Sequence, residues 1–327
     1  MKYKSCAYIE QGMIFQPDAL QPCCCDPKRN VTLFWKNPYN GELLDIDEYL
    51  QKRAELIEIF KSGKTPEQCE NCFHIEERDW QETPQIRNIT ISNHTKCSCK
   101  CIYCMFTKDK EYHNNRKTYN IFPVFEQLTN AGLIKNATVG VAGGECCEYE
   151  PGELEGLLSL LQKSNSRAFL FSSGIIFSEC IKDALSKRIA DLNISVDSGT
   201  KKTYEKIKQV KAFDVVWKNI KNYIDKTNSS QVHLKYILIP GINDNLKEIK
   251  AFVKKCNEVG CTSIWIDIEY NWWNENSKKP IPKHFYEIYK FLDKQKNIHV
   301  DYKCGQAYYI FKDMIEGRIP KKKWLFF

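Results

Sequence analysis

The sequence has no long apolar run, and this absence argues against a helical membrane protein. No stretch approaches the ~18 apolar residues that a membrane-spanning helix needs. The opening residues, MKYKSCAYIEQG, lack the apolar centre of a signal peptide. Internal repeats and low-complexity segments are also missing, and the only dense basic run, Lys321–Lys323, is too short to indicate nucleic-acid binding. We therefore predict a cytoplasmic protein with no membrane partner and no nucleic-acid partner.

The charge is mildly basic and is spread along the chain. Lys and Arg number 48 against 41 Asp and Glu, which gives a formal net charge of +7 over 327 residues. A diffuse positive surface suits an acidic protein partner. The chain, with 43% hydrophobic residues, is long enough for one large α/β domain and a smaller unit.

Cysteine is abundant, with 16 in the chain. Disulfides are rare in a reducing compartment, so this abundance indicates metal or redox chemistry. Most of the cysteines fall into two groups, Cys6, Cys23, Cys24, Cys25, Cys69 and Cys72 near the start, and Cys97, Cys99, Cys101 and Cys104 in the run KCSCKCIYC. The isolated Cys180, Cys256, Cys261 and Cys304 are interpreted as small buried apolar residues.

From Ile86 onward, strand-like and helix-like patterns alternate. Strands are predicted at 86–92, 137–143, 167–173, 189–198, 231–240, 263–270 and 297–302, and helices at 152–164, 201–210, 245–260 and 284–296. This alternation predicts βαβ units and a parallel sheet, in an α/β fold. We expect a partial (β/α)6 TIM-like barrel, with a doubly wound open sheet as the alternative. Barrel chemistry takes place at the carboxyl ends of the strands, and the motifs described below fall there.

The domain prediction has three parts. Residues 1–85 form a small cysteine-rich module with one helix at 45–63, residues 86–305 form the barrel, and residues 306–327 form a C-terminal tail. A module this short can be stabilised by a metal cluster in place of a large core.

The densest cysteine cluster contains the spacing Cys97-x3-Cys101-x2-Cys104. Iron–sulfur clusters are usually held by four Cys thiolates, so three thiolates would leave one iron open to a small molecule. A zinc site is the alternative, with Cys101 and Cys104 joined by two further cysteines from the first group. Cys99 is not needed by either arrangement.

This spacing, with Tyr103 before the last cysteine, resembles the signature of the radical S-adenosylmethionine (radical SAM) superfamily. Gly143-Gly144-Glu145, after the next predicted strand, is similar to that family's Gly-Gly-Glu segment. The resemblance implies a 4Fe–4S cluster whose open iron chelates S-adenosylmethionine. Reductive cleavage of that molecule would then give a 5′-deoxyadenosyl radical. Glu145 would contact the methionine amino group, and the glycines would allow close backbone approach.

Three further positions resemble the same family less closely. FLFSSG places Ser173 at a strand end, and LNISVDSG contains Ser195 and Asp197, which resemble residues that help bind the ribose and carboxylate. Ordinary strand ends or helix caps are an equal alternative for all three.

The N-terminal cysteines resemble the auxiliary-cluster modules called SPASM or twitch. The matching ligands are Cys6, Cys23, Cys69 and Cys72, and Cys24 or Cys25 could replace Cys23. The resemblance implies a second 4Fe–4S cluster, with structural zinc as the alternative. The module follows the barrel in most members of the family, whereas here it precedes the barrel.

These observations predict a radical SAM enzyme that abstracts hydrogen from an unidentified substrate, either a peptide or protein or a carbohydrate or small metabolite. A flavodoxin or ferredoxin is the implied electron donor, and no catalytic side chain beyond the cluster ligands is assigned. Trp272 and Trp273, after the sixth predicted strand, could line the substrate site. The alternatives are a non-catalytic zinc or iron–sulfur binding protein and a radical RNA methyltransferase or methylthiotransferase.

Overall fold

The computed structural model describes residues 2–15, 19–21, 35–36, 45–70, 72, 74–80, 85–104, 107, 121–227, 229–276, 279–302 and 307–316. Two compact units are present, one formed by Met1–Cys97 and Asp109–Leu170 and the other by Ser98–Lys108 and Phe171–Phe327. Within the described ranges, every helix is too short or too polar to cross a bilayer.

The first unit contains a sheet whose central strands are parallel. Its strand order is β8-β7-β6-β2-β3-β4, and a separate antiparallel pair joins β1 to β5. The strands are β1 (Lys2–Ser5), β2 (Gly12–Phe15), β3 (Ala19–Gln21), β4 (Trp35–Lys36), β5 (Glu76–Asp79), β6 (Ile86–Ile91), β7 (Ile134–Val141) and β8 (Arg167–Ser172), the last of which ends in the second unit. The β-branched residues of β6 suit a half-buried pleated surface, and Ile86, Ile89 and Ile91 are buried.

The helices of the first unit are α1 (Ala7–Gln11), α2 (Ile46–Lys61), α3 (Phe122–Asn130) and α4 (Glu153–Lys163), with 3-10 turns at Glu67–Cys69 and Cys146–Glu148. The start of α2 is fixed by Asp45, whose side chain accepts a hydrogen bond from the backbone N–H of Glu48 at 2.9 Å. In α3 a proline occupies the first turn, where its missing N–H costs no hydrogen bond.

The N-terminal residues contribute a strand to the same sheet as the first predicted barrel strand. Gly12 to Phe15 pairs in parallel with Asn88 to Ile91, and the Tyr49 hydroxyl donates to the Gly12 carbonyl at 2.8 Å. The predicted boundaries at residues 85 and 305 stay predictions. The ladder shows, however, that residues on both sides of residue 85 share one sheet.

The second unit contains four parallel strands in the order β12-β11-β10-β9. These are β9 (Ala190–Ser195), β10 (Val232–Leu238), β11 (Ser263–Ile268) and β12 (His299–Asp301). The helices are α5 (Glu179–Ser186), α6 (Lys201–Lys208), α7 (Phe213–Lys226), α8 (Leu246–Val259), α9 (Tyr270–Asn276), α10 (Lys283–Asp293) and α11 (Ala307–Ile315), with a 3-10 turn at Ser229–Gln231.

Alternating burial along β10 explains how this sheet packs on its helices. Every second residue from Val232 to Leu238 is buried, which is the period of a strand with one core face. On that face the Tyr236 ring lies 4.9 Å from Phe252 of α8, and Phe252 lies 6.1 Å from Trp217 of α7. These aromatic contacts join strand and helices in one core.

The prediction of an α/β fold with parallel strands is confirmed. A strand is present at each of the seven predicted positions, and the four predicted helices of this region are also present. The strand predicted to reach residue 198 ends at Ser195, because Asp197 has a left-handed backbone with φ 59°. Trp272 and Trp273 lie on the short helix α9.

Candidate functional site

The segment that contains Cys101 is attached to the carboxyl end of α6 in the second unit. The backbone N–H groups of Lys100 and Ile102 donate to the carbonyls of Lys208 and Ile207, both at 3.0 Å. The last carbonyls of a helix have no partner within the helix, so a neighbouring segment can use them as acceptors. The end of α6 therefore forms the support on which this cysteine loop lies.

A buried ion pair holds Tyr103, which lies between two of the predicted ligands in sequence. The Tyr103 hydroxyl donates to Oδ2 of Asp197 at 2.6 Å, and Nζ of Lys208 donates to the same oxygen at 2.5 Å. Lys208 also donates to the Tyr103 oxygen at 3.0 Å. Lys208 is 1% exposed and Asp197 0%, so the ion pair is closed to solvent, whereas Tyr103 is half-buried.

The charge states of this network follow from its burial. Burial is the largest effect and opposes the charge on Lys208, but Asp197, Tyr103 and Cys101 together outweigh it and raise the pKa of the ammonium well above its usual range. Burial, followed by the same carboxylate, raises the pKa of Tyr103 well above its usual value. The tyrosine therefore remains a protonated donor.

Both oxygens of Asp197 are already used inside the protein. Oδ1 accepts from the backbone N–H of Ile237 at 2.7 Å, and the Asp197 carbonyl accepts from the Asn243 amide at 2.7 Å. Asp tolerates the left-handed backbone seen here better than most residues do. The predicted role of Asp197 in binding the ribose or carboxylate stays a prediction, and the observed contacts give it a positioning role.

The Cys101 thiol is strongly acidified. A hydrogen bond with Cys99 is the largest cause, and the Lys208 charge and a hydrogen bond with Tyr103 add to it. Against the opposing effect of burial, these lower the pKa of Cys101 to about 6. Thiolates, not thiols, bind metals, so this donor suits an iron–sulfur cluster at neutral pH. Cys99, for which the sequence predicts no role, is thus placed to acidify a predicted ligand.

In the first unit, the Gly-Gly-Glu turn packs directly on the residues that precede Cys97. The backbone N–H groups of Gly144 and Glu145 donate to the carbonyls of His94 and Lys96 at 2.9 and 2.7 Å. A Cβ atom on Gly144 would lie 2.2 Å from the Lys96 carbonyl oxygen and 2.8 Å from the His94 ring. Glycine is therefore required there by contact with the chain itself.

Gly143 is constrained in the same way. Its backbone has φ 96°, a conformation that L side chains rarely adopt, and a Cβ there would meet the His94 carbonyl oxygen at 2.9 Å. The two glycines together let the predicted Glu145 segment lie beside the start of the cysteine run.

Two buried polar side chains lie at this turn. Glu145 is 1% exposed and accepts a hydrogen bond from the backbone N–H of Cys147 at 3.3 Å. His94 is 3% exposed, and neither of its ring nitrogens has a hydrogen-bond partner among the described residues. Burial lowers the pKa of His94 to about 4, so the ring is neutral. Buried ring nitrogens without a hydrogen-bond partner, like those of His94, are rare in proteins, and they fit a turn that binds a ligand.

A metal ion held by Glu145, Cys146 and Cys147 is a different possibility for this turn, because their ligand atoms lie within 4.8 Å of one another. The Cys146 thiol, however, donates to Oε1 of Glu145 at 3.6 Å. Its hydrogen bond with Cys147, burial and the Glu145 charge raise the pKa of Cys146 well above its usual value. Cys146 is therefore a protonated thiol in this structure, hydrogen-bonded to Glu145.

The two predicted serines have local backbone roles. Ser173 is 9% exposed, and its hydroxyl accepts from the backbone N–H of Ile175 at 3.4 Å. Ser195 is the last residue of β9 and lies opposite Lys235 in the sheet register. Their predicted contacts with the cofactor stay predictions.

Three of the four predicted auxiliary ligands lie in one region of the first unit. Cys6 and Cys69 are 3% and 8% exposed and belong to one apolar cluster, and the backbone N–H of Cys72 donates to the Cys69 carbonyl at 3.1 Å. Burial is the main cause that raises the pKa of Cys6, and Cys72 adds to it. The fourth ligand, Cys23, lies outside the described residues, as do Cys24 and Cys25.

The chain is similar to proteins of one family by sequence. The family model described as "Radical SAM superfamily" matches residues 93–255, about half of the chain. A relative named GTP 3',8-cyclase, from Desulforamulus reducens, is 22% identical over 179 residues, which cover 53% of each chain. The chain thus spans about half the length of the curated relatives it matches.

Solved structures with a similar fold include two of one protein. Streptococcus suis SuiB bound to S-adenosylmethionine has a TM-score of 0.52 at 13% identity, over 85% of this chain and 59% of that one. SuiB bound to precursor peptide SuiA has a TM-score of 0.52 at 11% identity, over 96% of this chain and 75% of that one.

At such identities these likenesses show the fold alone. They agree with the parallel strands of this chain. The match to the family model covers Cys97, Cys101, Cys104 and the Gly-Gly-Glu turn. The chain belongs to the radical SAM superfamily.

Proposed function

We propose that this chain is a radical SAM enzyme that abstracts a hydrogen atom from its substrate. The superfamily consists of enzymes that use a 4Fe–4S cluster and S-adenosylmethionine. A bound cluster would supply the electron that cleaves S-adenosylmethionine into methionine and a 5′-deoxyadenosyl radical. The proposed cluster ligands are Cys97, Cys101 and Cys104.

The acidified Cys101 thiol on a supported loop is the observation that carries this proposal. Its pKa of about 6 makes it a thiolate at neutral pH without any metal present. Glu145, held next to Lys96 by a backbone hydrogen bond, is the proposed acceptor for the methionine amino group. Tyr103, Ser173, Ser195 and Asp197 remain the further proposed cofactor-site residues.

We propose a second 4Fe–4S cluster at Cys6, Cys23, Cys69 and Cys72. The shared location of Cys6, Cys69 and Cys72 supports a common site for such a cluster. The apolar surroundings of Cys6 would shield such a cluster from water.

The proposed substrate is a peptide or a small metabolite. The relative's name refers to GTP, and the solved SuiB complex contains a precursor peptide. The proposed electron donor is a flavodoxin or ferredoxin, because an acidic partner suits a chain with a net charge of +7.

The test is anaerobic purification with counts of iron, sulfide and zinc, followed by dithionite, S-adenosylmethionine and detection of 5′-deoxyadenosine by mass spectrometry. About eight irons per chain with product would support both clusters, and about four with product would leave only the catalytic one. Zinc without product would favour the binding-protein alternative.

A matched pair of variants sharpens the assignment. Cys101→Ala should abolish 5′-deoxyadenosine formation while the N-terminal iron remains. Cys180→Ala, at the start of α5, removes a half-buried thiol outside every proposed site and should behave like the parent. Product formation by Cys101→Ala would refute the ligand assignment.

A further inference from the structure

One lysine in α6 differs from the other lysines of that helix. Lys201, Lys202 and Lys206 are exposed, whereas Lys208 is 1% exposed and is directed at Asp197 and Tyr103. Lys208 follows Tyr204 by one helical turn on the buried face, a position that an apolar side chain could fill.

Stability alone does not explain a charge at this position. Removing two charges from water is costly, and a buried ion pair is often no more stabilising than apolar residues of similar volume. Such pairs are best understood where they fix one arrangement of the chain. Here the pair fixes Tyr103, which is 105 positions from Lys208 in sequence.

The network joins three parts of the second unit. Tyr103 belongs to the cysteine loop, Lys208 ends α6, and Asp197 is bonded to the backbone of β10 through Ile237. The backbone hydrogen bonds from Lys100 and Ile102 to the end of α6 fix the same loop from its other side. The loop is thereby held through the backbone of Lys100 and Ile102 and through the side chain of Tyr103.

We infer that Lys208 and Asp197 are positioning residues which, through the Tyr103 hydroxyl, keep the Cys101–Cys104 loop in one conformation before any cluster binds. The inference rests on the proposed function only in assuming that this loop receives the cluster. The loop then loses its conformational entropy during folding, so less conformational entropy is lost when iron is incorporated.

The test compares two Tyr→Phe substitutions in the full chain. Tyr103→Phe removes the hydroxyl that joins the loop to the ion pair. Tyr204→Phe is the matched control. The Tyr204 hydroxyl is fully buried on α6, the helix that ends at Lys208, and it has no hydrogen-bond partner among the described residues. Amide hydrogen exchange of residues 98–104 is measured by mass spectrometry in metal-depleted protein, and the rate of iron incorporation is measured separately.

Loss of one hydrogen bond to a charged group should speed exchange of this segment by about tenfold, leaving other segments unchanged. Iron incorporation should slow in Tyr103→Phe and remain at the parent rate in Tyr204→Phe. Equal exchange in the two variants, or acceleration spread evenly over the chain, would overturn the inference.

A second variant keeps the test decisive if Tyr103→Phe does not fold. Asp197→Asn with Lys208→Met removes both charges together and leaves no unpaired buried ion. It should show the same local acceleration at 98–104, and parent-like exchange there would overturn the inference. If the parent chain binds no iron, the proposed function fails, while the exchange measurement still decides the positioning role.

Discussion

Gly144→Ala is the substitution that best separates two explanations of the Gly-Gly-Glu turn. The added Cβ would lie 2.2 Å from the Lys96 carbonyl oxygen, so the two segments must separate by about 1 Å to reach ordinary contact. That movement weakens the hydrogen bonds of 2.9 and 2.7 Å that Gly144 and Glu145 make with the preceding loop. Two hydrogen bonds at about 1 kcal/mol each and about 1–2 kcal/mol of overpacking give an expected loss of about 3–4 kcal/mol in the free energy of unfolding.

Urea unfolding of the reduced, metal-free chain measures this loss as a lower midpoint concentration. Gly132→Ala is the control, because a Cβ there meets nothing within 4 Å although the backbone has φ 69°. Its expected cost is only the conformational one, about 1 kcal/mol.

The competing explanation is that Gly144 serves only the approach of a ligand. Gly144→Ala would then unfold at the parent's midpoint and lose only S-adenosylmethionine binding. A difference from the parent below about 0.5 kcal/mol would refute the steric argument, since that is the usual range of neutral surface substitutions.

Three further substitutions test other contacts by urea unfolding. Lys208→Met should lower the free energy of unfolding by about 3–5 kcal/mol, because it leaves Asp197 buried and without its ion-pair partner. The double variant that adds Asp197→Asn should recover at least half of that loss. Equal losses in the single and double variants would contradict the buried pairing. The pKa of His94 is lowered from 6.5 to about 4 by burial, so the unfolded chain takes up this proton first and stability falls as the pH drops through that window. Between pH 7.5 and 4.5 the free energy of unfolding of the parent should fall by roughly 2–3 kcal/mol more than that of His94→Gln. Parallel curves of unfolding free energy against pH would contradict this. Tyr49→Phe should cost about 1–2 kcal/mol by removing the buried hydrogen bond to the Gly12 carbonyl, and an unchanged midpoint would show that the bond is not formed.

The strands from β6 onward could be predicted because their apolar residues follow a simple period and turn residues separate them. The helix α8 was equally clear, since Asn245 caps its start and Gly260 ends it with φ 77°. The same helical period is visible in α7, where Val216, Ile220 and Tyr223 lie on one buried face.

Other features depend on tertiary contacts that no local pattern contains. The parallel pairing of Gly12 with Asn88 joins residues far apart in sequence, and its register is set by the folded sheet. In the candidate site, the cysteine spacing and Glu145 could be recognised from the sequence. Lys208 could not, because four lysines occur in α6 and only its place after Tyr204 and Ile207 on the buried face distinguishes it.

The strand β2 pairs with one edge of β6, and this limits how far the chain can be shortened from its first residues. Without residues 1–21, the peptide groups of Ile86–Ile91 on that side would be unpaired, and an exposed apolar strand edge promotes association between molecules. A fragment that begins at the predicted barrel is therefore expected to aggregate.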